Sequence, residues 1–362
     1  MKLIHCADLH LDSRLNTHLT KEKAAERRRE LTANFCDLVE YAAKTGVSAI
    51  LICGDMFDTS HVTAFTRNAV LRSIEDNPGI AFFILRGNHD SENFLNETDN
   101  PPKNVFLFND GWTMYDFNGV RIYGAELLSG NAASLQQNFS PNPSDINIVM
   151  LHGQETVTNP KDKTEIINLR LFKNKGINYM ALGHVHEYKV ESLDALGKYC
   201  YSGCLEGRGF DEAGEHGFVL LDVDVEAKTV TDTFVPFAKR MIYVENVDVT
   251  GLNNTFDIAA KIKDRLKACP AGSSDMVRVV LTGEVDVECE KNIDYLEKNL
   301  AKDYYFVKVS DETGLKVNTE SFLYDETLKG EFVRTVMNDP SLSPERKAEI
   351  VREGLSLFSE VK

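Results

Sequence analysis

Five short clusters between residues 8 and 186 carry side chains able to hold metal ions: Asp8-Leu9-His10, Gly54-Asp55, Gly87-Asn88-His89-Asp90, His152-Gly153 and Gly183-His184-Val185-His186. Five of the nine histidines fall inside them, and the other four, His5, His18, His61 and His216, read as structural or exposed. Any one cluster is common by chance, whereas the ordered set calls for a shared purpose. Asp8 and His10 lie two apart in a segment read as extended, so both side chains face one way and can chelate one ion; His184 and His186 repeat the spacing. The Asp55 carboxylate can bridge two cations, and Asn88 offers a neutral oxygen. Mixed nitrogen and oxygen donors suit Mn²⁺, Fe²⁺ or Zn²⁺. Two such ions, about 3.5 to 4 Å apart, clamp a phosphate and activate a bridging water, so the natural chemistry is hydrolysis of phosphate esters.

Side chains so far apart in sequence need a scaffold that gathers them. From Met1 to about Pro236 short apolar strands alternate with helices, the pattern of an α/β layered domain. The expected strands are Lys2–Ala7, Ser48–Cys53, Ala81–Leu85, Ile146–Leu151 and Tyr179–Leu182, and a cluster sits at or just beyond the end of each. Gly54, Gly87, Gly153 and Gly183 lack a side chain where the chain must turn beside the ligands. Leu31, Phe35, Leu38 and Ala42 give helical spacing over Lys21–Lys44, with Gly46 as the stop. The run Arg27, Arg28, Arg29 reads as a solvated face of that helix with Glu26 and Glu30 as partners, ahead of a phosphate contact. Asn118-Gly119 between two apolar runs predicts a hairpin, and antiparallel strands recur from Tyr188 to Phe237. After Pro236 the order strand, helix, strand, helix, strand predicts a small second α/β unit. The tail from Phe322 to Val361 predicts two helices broken at Asp339-Pro340-Ser341.

Composition narrows the setting. The chain has 362 residues, 43% hydrophobic and 27% charged, and no apolar run near the roughly 18 residues of a membrane span. The opening Met1–Ala7 is strand-like and unlike an export signal, and seven scattered cysteines suit a reducing compartment, so a cytoplasmic protein is expected. Cys200 and Cys204 lack the second pair a structural zinc would need. A net charge of -16 argues against a surface coated in positive potential while leaving room for a local basic strip. The segment from Glu206 to Glu212 is glycine-rich and reads equally as a substrate-side loop offering Arg208 and as a plain inter-strand turn.

In order and composition the five clusters resemble the calcineurin-like metallophosphoesterase superfamily, whose signature is D-x-H, G-D, G-N-H-D/E, a later H, and G-H-x-H. The resemblance implies one metal held by Asp8, His10, Asp55 and His186 and a second by Asp55, Asn88, His152 and His184. It implies a catalytic, non-ligand role for His89, with Asp90 orienting its ring. Ile4-His5-Cys6-Ala7-Asp8-Leu9-His10-Leu11, Gly54-Asp55-Met56-Phe57-Asp58 and Tyr201-Ser202-Gly203 further resemble SbcD-like DNA-repair nucleases. Here Asp58 stands where archaeal and eukaryotic relatives often have His, and Cys204 where Ser is usual.

That likeness implies a four-layer αββα sandwich over 1–238, a small α/β capping domain over 239–315 and a helical region over 316–362 for partner binding. It implies two divalent ions, Mn²⁺ first with Fe²⁺ or Zn²⁺ as alternatives. The expected activity is 3′-5′ exonuclease action on duplex DNA ends and endonuclease action on single strands. DNA and an SbcC-like coiled-coil ATPase are the implied partners, with homodimerisation open and no membrane contact. The competing readings are a phosphoesterase acting on nucleotides or phosphoproteins, and a non-catalytic scaffold of an ATPase complex.

Overall fold

The computed structural model describes the chain except 16–18, 59–61, 91–100, 129, 157–165, 287–288, 316–321, 323 and 361–362, so His18 and His61 lie outside the described residues. It divides into two compact units, Met1–Arg240 and Met241–Lys362. The first opens with β1 (Lys2–Cys6), α1 (Lys21–Thr45), β2 (Val47–Cys53), α2 (Ala64–Glu75), β3 (Ala81–Leu85) and β4 (Val105–Leu107). The hairpin β5 (Thr113–Phe117) and β6 (Val120–Gly124) follows, then α3 (Ala132–Asn138), β7 (Ile146–His152) and a short ribbon, β8 (Gln154–Thr156) with β9 (Ile166–Asn168). It closes with β10 (Tyr179–Gly183), β11 (Lys189–Ser192), β12 (Lys198–Tyr201), β13 (Gly217–Asp224) and β14 (Thr229–Pro236).

Strands that are apolar on both faces must be covered on both, and here two sheets cover each other on the inside while helices cover them outside. One six-stranded sheet runs β14-β13-β1-β2-β3-β4 and the other β11-β12-β10-β7-β6-β5. Period-two alternation decides which side chain enters which layer. Leu3, Leu51 and Phe83 from the first sheet meet Ile148, Met150 and Ala181 from the second in one shared core. The opposite face of the first sheet sends Ile4, Ile52 and Phe82 against Leu31, Phe35 and Leu38 of α1 and Val70 of α2. The far face of the second sends Val149 and Met180 against Ala132 of α3 and Phe172. The result is the expected four-layer αββα sandwich.

Local signals set the boundaries. Thr20 caps α1 by accepting from Lys23 N, and Gly46, at φ 71°, ends it in the left-handed conformation. Asn118 and Gly119 take φ 51° and 86°, as a tight hairpin turn requires. The arginine run departs from expectation. Arg27 is fully buried and donates to Glu206 Oε1 from both terminal nitrogens at 3.0 Å, to Glu30 Oε2 and to the Gly207 carbonyl. It therefore serves the interior, because α1 lies flat on the sheet and position 27 shares the inward face with Leu31 and Ala24.

The second unit carries a parallel three-stranded sheet, β15 (Ile242–Asp248), β16 (Met276–Thr282) and, after the two-residue β17 (Glu284–Val285), β18 (Phe306–Asp311), in the order β15-β16-β18. The crossover helices α4 (Thr255–Leu266) and α5 (Ile293–Leu300) bury Ile258, Ile262, Leu296 and Leu300 on it. After β19 (Gly314–Leu315), helices α6 (Leu328–Asn338) and α7 (Pro344–Glu360) pack together around Val333, Val351 and Leu355.

Candidate metal centre

All five clusters emerge at the carboxyl ends of parallel strands. Strands β1, β2 and β3 run parallel in the first sheet and β7 and β10 in the second, so face-to-face packing brings five strand ends to one rim. Beyond β1 the chain stays beside the loop after β2, through Asp8 N to Gly54 O at 3.1 Å and His10 N to Asp55 O at 2.9 Å. The two sheets join where the amide of His184 donates to both Asp8 oxygens at 3.0 Å and where His152 Nδ1 donates to Cys53 O at 2.9 Å.

The extended geometry expected for Asp8 and His10 is not what aims them. Strand β1 ends at Cys6, and Asp8 and His10 take φ 52° and 44°; Asp55 at 52° and His184 at 100° share this left-handed conformation. Each such residue costs on the order of 1 kcal/mol or more, and four of them at one rim mark a site over-determined by its surroundings. Gly54 and Gly87 are required by close approach. A Cβ on Gly54 would lie 2.2 Å from His152 Nδ1, and one on Gly87 would lie 2.1 Å from Asp55 Oδ1.

Among the described residues three groups of donors result, one being His10, Asp58 and His89 and the other two made of the expected ligands. Asp8, His10 and His186 have ligand atoms within 4.8 Å of one another, as do Asp8, Asp55 and His152. His10 Nε2 faces His186 Nε2 at 3.1 Å, and His186 Nε2 lies 3.9 Å from Asp8 Oδ1. In the other set His152 Nε2 lies 2.9 Å from Asn88 Oδ1 and 3.4 Å from Asp55 Oδ2. Asp55 Oδ2 is also 3.9 Å from His10 Nε2, so this one oxygen addresses both sets. The His184 ring stands edge-on to that of His152 at 5.4 Å between centroids.

These residues fit metal ions. His152 spends its Nδ1 proton on Cys53 O, and His186 spends its own on Glu212 Oε1 at 2.8 Å. Each inner nitrogen then presents a lone pair to carboxylate or amide oxygens, an arrangement that only a proton or a cation reconciles. Donors about 2 Å from a shared tetrahedral centre stand roughly 3.3 Å apart, close to the spacings here. Electrostatics agree. Burial alone would lower the His152 pKa, yet the Asp55 hydrogen bond and the Asp8 charge raise it to about 9. Burial would raise Asp55, and the hydrogen bond and charge of His152 hold it down at about 2. Asp8 is pushed upward by burial against the pull of His152 and His186.

Two expectations change. Asp90 was expected to orient His89, but its carboxylate accepts from the amides of Met56, Phe57 and Gly87 at 3.2, 2.9 and 3.0 Å, fastening the second and third clusters together. The acid beside His89 is Asp58, with Oδ1 2.8 Å from His89 Nδ1 and 3.4 Å from His10 Nδ1. Chain neighbours on a tight turn point apart, and three residues beyond the Asp55 turn brings Asp58 back to the rim. Arg208 does not extend toward solvent as a substrate-side residue would: it donates from Nε and Nη2 to Glu212 and lies 3.8 Å from Asp58 Oδ2. Glu212 was missed as a site residue. Its one sequence signal is an acid four residues after Arg208, beside Asp211 and near Glu215, and its partner His186 is 26 residues away. Of the leftover histidines, His5 is buried between Tyr179 Oη and Leu182 O, and His216 between Cys204 Sγ and Glu212 O, both structural.

A sandwich of two mixed sheets with Asp, His and Asn gathered at the strand ends defines a metal-dependent hydrolase. The calcineurin-like phosphoesterase family profile matches residues 1–188, more than half of the 362, and the chain belongs to that family. It is similar to the uncharacterized metallophosphoesterase YhaO of Bacillus subtilis, 25% identical over 88% of this chain and 83% of YhaO. It is similar to the DNA double-strand break repair protein Mre11 of Saccharolobus solfataricus, 26% identical over 51% of this chain and 49% of that protein. To one component of the nuclease SbcCD of Escherichia coli it is 33% identical over 27% of this chain and 23% of that component. Among the described residues no helix is long and apolar enough to cross a membrane.

Proposed function

We propose that this chain is a two-metal phosphodiesterase that cleaves DNA, as a 3′-5′ exonuclease on duplex ends and an endonuclease on single strands, in DNA repair. The observation that carries the reading is Asp55 Oδ2 facing His10 and His152 at once, with a half-exposed His89 beside them. On this reading Asp8, His10, Asp55 and His186 hold one divalent ion, and Asp55, Asn88, His152 and His184 the other, Mn²⁺ being the proposed metal. When bound, the pair would polarise the phosphate and supply an activated water.

The chain's own contribution is orientation and proton management. Asp58 accepts from His89 Nδ1, which fixes the ring and turns Nε2 outward, where it can stabilise or protonate the leaving oxygen. Asp90 sets the distance between Asp55 and His89 through the loops it clamps, and the His89 amide donates to Asp55 Oδ1 at 2.9 Å. DNA as substrate is supported by the relatives named for double-strand break repair and as a nuclease. We assign residues 239–315 to capping and 316–362 to partner binding, with an SbcC-like ATPase as the partner, in the cytoplasm.

The test is cleavage of end-labelled duplex and single-stranded DNA with Mn²⁺, beside a generic phosphodiester, for wild type, Asp55→Ala and His89→Ala. DNA cleavage lost in both variants, with Mn²⁺ binding kept in His89→Ala, supports the reading. Turnover of the generic substrate alone moves the assignment to a small-substrate phosphoesterase. DNA affinity that does not fall with rising salt also counts against it, because phosphate contacts release counterions.

A further inference from the structure

The two-metal reading uses the inner nitrogens of the ligand histidines; the outer nitrogens of His186, His10 and His89 face a chain of side chains that none of the five clusters contains. Glu212 lies in the segment between β12 and β13, is only 8% exposed, and takes His186 Nδ1 on Oε1 at 2.8 Å. It is held in turn by Arg208, whose amide donates to Oε2 at 2.7 Å and whose Nη2 donates to Oε1 at 2.7 Å. The guanidinium of Arg208 then reaches Asp58 Oδ2 at 3.8 Å, which also accepts from Ser13 Oγ at 2.8 Å. Asp58 Oδ1 faces the outer nitrogens of His10 and His89. Three imidazoles from three separate loops are thus backed by two carboxylates joined through one guanidinium.

We propose that Glu212, clamped by Arg208, is a positioning residue that fixes the ring of His186 with Nε2 turned toward Asp8 and His10, and that one metal position depends on it. The inference rests on the two-metal reading and names a residue that reading does not contain. A carboxylate accepting from the outer nitrogen locks the tautomer, stops the ring from turning, and makes the inner nitrogen a stronger donor. Glu212 can do this because its buried carboxylate is paired with the Arg208 guanidinium. Bonds from the Arg208 backbone and side chain together leave the carboxylate one orientation, so its grip on His186 is geometric as well as electrostatic.

The experiment is isothermal titration of Mn²⁺ alone into wild type, E212A, E212Q and R208M, with circular dichroism to show that each is folded. Wild type is expected to take two ions. E212A should keep one wild-type site and bind the other about 10- to 100-fold more weakly, the usual effect of removing an outer partner. E212Q still offers His186 an acceptor and should recover most of that loss, which a merely structural role would not produce. Two ions bound to E212A with wild-type affinities would overturn the inference and leave the two-metal reading standing. Wild type binding fewer than two would overturn that reading instead. If E212A does not fold, R208M decides: it should weaken one site at least several-fold, and unchanged binding overturns the inference.

Discussion

Replacing Gly87 with alanine perturbs the centre without replacing any donor residue. The added Cβ would lie 2.1 Å from Asp55 Oδ1 and 2.5 Å from the Asp55 backbone nitrogen. Relaxing the first contact to about 3.5 Å moves the carboxylate by about 1.4 Å. Turning the side chain cannot relieve the second, so the Asp55 backbone must shift as well. Asp55 Oδ2 faces both donor sets, and a misplacement of about 1 Å at a reacting centre costs on the order of 100-fold in rate. Gly87→Ala should therefore lose about two orders of magnitude of phosphoesterase activity and weaken both proposed metal positions together. Stability should fall by about 1 to 3 kcal/mol, as overpacking does. Gly79→Ala is the control, since nothing lies within 4 Å of its added Cβ. The assay is turnover of a generic phosphodiester with Mn²⁺, with calorimetry counting the ions bound. A Gly87→Ala protein with wild-type rate and two wild-type ions would refute the close-approach argument and the shared role of Asp55.

Asp90→Ala should destabilise the fold by about 1 to 3 kcal/mol or more, because three loop amides lose their acceptor, and chemical denaturation would show it; an unchanged midpoint would contradict the clamp. Arg27→Ala leaves Glu206 buried without its cation and should cost about 3 to 5 kcal/mol, whereas Arg27→Met combined with Glu206→Gln should recover part of it in the same assay. His5 is held neutral: burial lowers its pKa to about 3, against the 6.5 it recovers in the unfolded chain. Below pH 6.5 the unfolded state takes a proton the folded state refuses, so stability is full above 6.5 and falls toward pH 3. By pH 5 the loss is about 2 kcal/mol. His5→Phe should remove that part of the slope, and parallel pH dependences for the two proteins would sink the assignment.

The strand ends were legible because strands β1, β2, β3, β7 and β10 are short apolar runs broken by glycine and polar residues, signals that depend only on neighbours in the chain. The clusters that follow them could be recognised for the same reason, and the hairpin at Asn118-Gly119 and the stop at Gly46 follow from conformations that few residues tolerate. Three features could not be read this way. Asp8 and His10 leave the extended conformation because bonds to the loop after β2 pull them into left-handed turns, a pairing about 45 residues apart in the chain. Arg27 is buried because a carboxylate 179 residues away waits for it, and no local pattern separates it from Arg28. Asp58, not Asp90, serves His89, and Glu212 serves His186, because side-chain direction at a rim follows from the packing of two sheets. Donor types and their order are properties of the chain; which acid meets which imidazole is decided when strands from both sheets end at one place.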